Sequence, residues 1–233
     1  MKDNYTHLTV VIDRSGSMQS IRADSEGGIN SLITANKDAD GECSLLLVDF
    51  DAIGWGGSTG LAAVSSDWYK VHHKGPIQKF GTYSLTPRGG TALLDAIGRA
   101  ITETGEYLKG LPEADRPSKV MFTVMTDGEE NSSKEFSYAK VSEMIKHQED
   151  AYQWEFSFLG AGLDVASQAI SMGFQASNVT NFAPNSGIAA SAAFASHTHS
   201  TLNYRGTGHT TYAGKVTSDG NIIEDEGRTE VTK

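Results

Sequence analysis

Leu8-Thr-Val-Val-Ile-Asp-Arg-Ser-Gly-Ser17 decides how this chain is read. Leu8 to Ile12 form a short unbroken apolar or β-branched run, the pattern of a strand buried on both faces. At Asp13 the run stops, and polar residues and glycine follow. Asp13, Ser15 and Ser17 set oxygens at alternate positions, and Gly16 between them lets the backbone turn sharply. One carboxylate and two hydroxyls make half the oxygen shell that Mg²⁺ requires. The same residue types also build Asx turns and helix N-caps, so the stretch alone leaves both readings open.

Working outward, Ile29, Leu32 and Ile33 have helical spacing and predict a helix over about 25 to 37, weakened at Gly27 and Gly28. Ser44 to Phe50 reads as a second buried strand, and Leu61 to His72 as a less apolar edge strand. Thr86-Pro-Arg-Gly-Gly-Thr91 is a loop that delivers Thr91 to a helix carrying Leu93, Ile97, Ile101 and Leu108. Val120 to Met125 is a third buried strand, ending in Thr126-Asp127-Gly128. Val141, Met144 and Ile145 mark a helix, and Trp154, Phe156 and Phe158 alternate as core positions of a strand. A short helix from Leu163, a strand near Val179 to Phe182 and a helix over 187 to 203 follow. From Arg205 onward no core face is evident.

Strands alternating with helices imply an α/β fold: a Rossmann-like, doubly wound, mostly parallel central sheet with helices on both faces and one antiparallel edge strand. Residues 1–206 are expected to form one domain and residues 207–233 an acidic, flexible tail. Nineteen basic against 29 acidic residues give a net charge of −10 without a Lys/Arg cluster, which argues against nucleic acid or an anionic membrane as partner. The single cysteine, Cys43, allows no internal disulfide. Met1-Lys-Asp-Asn leads into the first strand without the apolar stretch of a signal peptide, so a cytoplasmic setting is expected.

In doubly wound folds ligands sit beyond the carboxyl ends of the strands. Asp13 and Asp127 each end a buried strand, and Thr91 opens a helix from a loop, so three distant segments aim oxygens at one rim. Asp13-x-Ser15-x-Ser17, Gly90-Thr91-Ala-Leu-Leu-Asp-Ala-Ile and Thr126-Asp127-Gly128 together resemble the von Willebrand factor type A domain with a metal-ion-dependent adhesion site. The resemblance covers residues 6 to about 184 and is nearest to the stand-alone cytoplasmic versions of bacteria and their phages. It implies Mg²⁺, with Mn²⁺ as a substitute. Ser15 and Ser17 would be direct ligands, Asp13 would act mostly through water or by its own oxygen, Thr91 would join when a partner binds, and Asp127 would complete the ring, often through water. The implied function is Mg²⁺-dependent binding of a protein that presents an acidic residue, without catalysis. The alternatives are a Mg²⁺-dependent phosphoryl-group hydrolase or a structural protein whose metal ties loops together. The acidic residues near the C-terminus read first as a solvating tail; the alternative is that the tail itself meets the site, in its own domain or in a neighbouring copy.

Rival motifs carry less. Gly56-Gly-Ser58-Thr-Gly60 matches the G-x-S-x-G nucleophile pattern but lacks the strand before it and the helix after it. His197 and His199 are two apart, point to different helix faces, and read as solvated surface residues, as do His72 and His73. Glu129-Glu130 reads as a solvated loop or first-turn feature. Asp49 and Asp51 end the second strand near the rim and are expected to have little role in the site.

Overall fold

The computed structural model describes residues 1–52 and 67–223. Strand β1 (Lys2–Asp13) lies inside the sheet and is buried from Tyr5 to its end. It runs parallel to β2 (Glu42–Phe50) on one side and to β4 (Pro117–Thr126) on the other. β5 (Glu155–Ala161), β6 (Val179–Phe182) and the two-residue β7 (Lys215–Val216) continue in parallel. β3 (Tyr69–Pro76) and β8 (Ile222–Ile223) close the two edges antiparallel, giving the order β3-β2-β1-β4-β5-β6-β7-β8. The mostly parallel doubly wound sheet is therefore as expected, with an antiparallel strand at both edges rather than one.

Alternation along each strand divides the core in two. Leu8, Val10 and Ile12 join Leu45, Leu47, Met121 and Met125 on the face covered by α1 (Arg22–Asp38) and α5 (Gly187–Thr207). Val11, Leu46, Val48, Phe122, Phe156 and Phe158 face the other way. There they meet α2 (Leu93–Lys109), α3 (Tyr138–Tyr152) and α4 (Leu163–Ser171). Both faces being apolar is the condition for a parallel sheet to form, since neither can be left to water. Trp154, Phe156 and Phe158 pack as core, and Phe174 meets the rings of Phe156 and Phe158 edge-on. Among the described residues no helix is long and apolar enough to cross a membrane.

Three expectations change. Among the described residues the edge strand runs Tyr69–Pro76, past the expected end at His72; residues 61–66 and Gly56 to Gly60 lie outside the described residues. The described part of the expected tail adds to the sheet. Tyr212, Ala213 and Val216 are buried, and Thr180 Oγ1 donates to the Ala213 carbonyl at 2.7 Å. This reading was hidden because the strand has two residues and no apolar run announces it. The acidic residues from Glu224 onward lie outside the described residues. Arg205, at the point where the core seemed to end, is itself buried. Its guanidinium donates to the carbonyls of Asn36 (2.5 Å), Asp40 (3.0 Å) and Gly41 (3.2 Å), pinning α5 to the carboxyl end of α1.

The third correction is His197, which is buried rather than solvated, while His199 is exposed. His197 Nε2 lies 2.9 Å from Thr123 Oγ1, and its ring stacks on Tyr212. His7, on β1, is equally buried, with Nδ1 2.7 Å from Ser44 Oγ. Burial keeps both imidazoles neutral, pushing His7 down to about 3 and His197 to about 4. In the unfolded chain they titrate near 6.5, so their contribution is complete above that pH and is lost as pH falls towards 4. Each should withhold about 2 kcal/mol at pH 5. In EDTA, the melting temperature of His197→Gln is therefore expected to fall less than that of the wild type between pH 7 and pH 5. Equal falls would contradict a neutral buried His197.

The paired glycines of α1 differ in purpose. A Cβ on Gly28 would come within 2.4 Å of the Phe194 ring of α5, whereas one on Gly27 would meet nothing within 4 Å. Gly28 is thus what lets the two helices approach. Gly27→Ala is expected to stabilise the fold by about 1 kcal/mol through helix propensity alone. Gly28→Ala is expected to destabilise it by about 1–3 kcal/mol through overpacking. Urea melts of the two variants check the opposite signs.

Candidate metal centre

β1 and β4 are adjacent and parallel, so their carboxyl ends bring Asp13 and the Thr126-Asp127-Gly128 turn together. Asp13 is fully buried. Its Oδ1 accepts the Ser15 backbone N–H at 2.6 Å and its Oδ2 the Thr126 hydroxyl at 2.6 Å. Ser15 Oγ lies 3.0 Å from Ser17 Oγ, which donates to Asp127 Oδ1 at 2.7 Å. Thr91 is buried on the neighbouring loop. A Cβ built on Gly128 would lie 3.1 Å from Thr91 Oγ1, 3.4 Å from Ser17 Oγ and 3.6 Å from Asp13 Oδ2. The structure therefore gathers Asp13, Ser15, Ser17, Thr91 and Asp127 at one point of the rim, and Gly128 leaves that point open.

The loops are joined by their backbones. Arg88 N–H donates to the Arg14 carbonyl at 2.7 Å and Gly16 N–H to the Gly89 carbonyl at 3.0 Å. Arg14 follows Asp13 directly but turns its guanidinium away, to Asp49 at 3.3 Å, Asp51 at 2.9 Å and the Asp67 carbonyl. Arg88 reaches the same Asp51 carboxylate at 2.5 Å and Asp67 at 3.0 Å. Asp49 also holds His72, at 2.6 Å, and Tyr83, at 3.1 Å. Asp49 and Asp51 thus serve as partners of the two arginines, behind the rim.

Among the described residues neither Asp13 nor Asp127 has a basic partner. Burial raises the Asp13 carboxyl to about 7, against the lowering effect of the Thr126 and Ser15 hydrogen bonds, and the Asp127 charge raises it further. Burial also raises Asp127. Among the described residues no three His, Cys, Asp or Glu side chains form a group able to hold a metal. A cation here would depend on the hydroxyls. Two carboxylates, three hydroxyls and no nitrogen or sulfur donor suit a hard cation that keeps some of its water.

The sequence reading missed the residues behind Thr91 and Asp127. Glu130, taken as a loop residue, accepts from Leu94 N–H (2.9 Å), Ser132 N–H (2.8 Å) and Ser133 N–H (2.7 Å). Buried Asp95 accepts the N–H groups of Lys134, Glu135 and Phe136, each at 2.8 Å. An acid in the first turn of the helix and another three residues after Asp127 were the available signals.

No family model matches the sequence, and no curated protein matches it. Its likenesses lie among solved structures. The pilus adhesin SpaC from Lactobacillus rhamnosus GG superposes with a TM-score of 0.60 at 13% identity, over 87% of this chain and 30% of that one. Proximal thread matrix protein 1 from the mussel byssus gives 0.52 at 13% identity, over 87% and 46%. A von Willebrand factor type A protein from Catenulispora acidiphila gives 0.51 at 15% identity, over 85% and 43%. The chain spans less than half the length of each. At these identities the likeness establishes the fold, which is von Willebrand factor type A-like.

Like charges held close in a buried rim repel when no cation separates them. In EDTA at pH 8, Asp127→Asn should leave the melting temperature unchanged or raise it, because the amide oxygen still accepts from Ser17 and one charge is gone. A drop of several degrees would show that the Asp127 charge itself stabilises the fold.

Proposed function

We propose that this chain is a Mg²⁺-dependent protein-binding module of the stand-alone bacterial or phage kind, and that it takes an acidic residue of a partner protein. One observation carries the proposal: two carboxylates that have no basic partner among the described residues meet three hydroxyls around a point of the rim left open by Gly128. Ser15 and Ser17 would hold the cation directly, joined by Thr91 when a partner binds, with Asp13 acting mostly through water or by its own oxygen and Asp127 completing the ring, often through water. Bound there, Mg²⁺ would offer an electron-poor open position to an incoming carboxylate. Asp13 orients the Ser15–Ser17 turn through the Ser15 N–H, and Thr126 fixes Asp13 in turn. The adhesin and type A domain likenesses support an interaction role. A non-enzymatic module is favoured because no histidine lies in the three loops to serve as a general base. The proposal includes a cytoplasmic setting, which fractionation of the producing cells checks.

Calorimetry is expected to show one Mn²⁺ or Mg²⁺ site in the wild type and none in Asp13→Ala. Saturating Mg²⁺ should also raise the wild-type melting temperature by mass action. Unchanged Mn²⁺ binding in Asp13→Ala would remove the assignment. A partner retained from host lysate in Mg²⁺ but released by EDTA would support the binding role. Metal-dependent release of phosphate in a phosphatase screen would replace it with the hydrolase.

A further inference from the structure

We infer that Glu130 and Asn131 form a latch that positions Thr91, holding its hydroxyl beside Asp13 and Ser17 before any cation arrives. The inference rests on the metal reading above and adds two positioning residues to it.

A helix leaves its first N–H groups without partners, and a serine, threonine or aspartate at the N-cap commonly satisfies them. At α2 the N-cap is Ala92, whose side chain can accept nothing. The acceptors come instead from the loop after β4. Glu130 Oε2 takes the Leu94 N–H at 2.9 Å, and Ser133 Oγ takes the Asp95 N–H at 3.0 Å. Ser133 Oγ also donates to Glu130 Oε2, at 2.6 Å, so the two acceptors fix each other. The start of α2 is thus capped from a segment about 40 residues away, and Thr91 is released from that duty.

Asn131 holds Thr91 itself, from both sides of the residue. Its Oδ1 accepts the Thr91 N–H at 3.0 Å, and its own N–H donates to the Thr91 carbonyl at 3.1 Å. Gly90 allows this approach, since a Cβ there would lie 2.9 Å from Ser132 Oγ and 3.1 Å from Asn131 Oδ1. Glu130 is tied in turn to α4, where Gln168 Oε1 accepts its N–H at 3.0 Å. The Asp127 turn and the Thr91 loop therefore behave as one piece. What a cation finds at Thr91 is set by Glu130 and Asn131, although neither is among its expected ligands.

Mn²⁺ calorimetry on the full chain in saturating acetate, whose carboxylate stands in for the partner's, tests this with a double-mutant cycle. Glu130→Ala is expected to weaken Mn²⁺ binding by about tenfold, as the loss of a group that orients a ligand does. In a Thr91→Ala background the same change should add less than about twofold, because the two act through one hydroxyl. A purely structural role would weaken binding equally with or without that hydroxyl, and multiplying losses would overturn the inference. So would Glu130→Ala within twofold of wild type. Asn131→Ala carries the same expectation if Glu130→Ala fails to fold. Hydrogen exchange in EDTA separates the latch from the metal reading. The Thr91 and Leu94 amides should exchange slowly in the wild type and at least about a hundredfold faster in the variants. Equal rates would overturn the latch whatever the metal result, whereas no Mn²⁺ binding in the wild type would remove the metal reading.

Discussion

A carboxylate at the end of a strand buried on both faces is the constraint on which this molecule turns. Asp13 has no exposure, and burying a charge without a counter-charge is among the costliest things a fold can do. Hydrogen bonds from Ser15 and Thr126 offset only part of that cost, which is why its carboxyl stands near neutrality instead of in the ordinary acidic range. A cation at the rim would offset the rest. Its neighbour in sequence, Arg14, is equally buried, yet its charge is spent on Asp49 and Asp51. Among the described residues the chain thus keeps its arginine–carboxylate cluster behind the rim and an acidic pair without basic partners on it, with Arg14 and Asp13 adjacent in sequence.

Much of this was legible before any coordinates. Apolar runs ending abruptly at Asp13 and Asp127 identify strands whose carboxyl ends must share an edge of a parallel sheet, so the convergence of distant oxygens followed from topology. Buried parallel strands are easy to read because most positions are apolar or β-branched, and α2 was legible because one stripe is apolar. The two-residue β7 was not, since a strand that short has no period to detect. His197 misled for a related reason. Spacing correctly separated it from His199, but which face of α5 met the sheet depended on packing against Thr123 and Tyr212, partners far away in sequence.

The residues around the rim show the same division. Candidate ligands announce themselves by side-chain type and spacing. The groups that hold them do not, because Glu130, Asn131 and Asp95 act on backbone N–H groups 36 to 41 residues away. A capping residue is normally sought beside its own helix. Here the N-cap is alanine, a local inconsistency that makes sense only when the loop after β4 is folded onto it.

The antiparallel turn at the far edge has a consequence for how copies of the molecule can meet. β8 reverses against β7, and its described strand is only two residues long. A strand that short presents few unpaired N–H and C=O groups to another chain, so among the described residues this side of the sheet offers little to edge-to-edge growth.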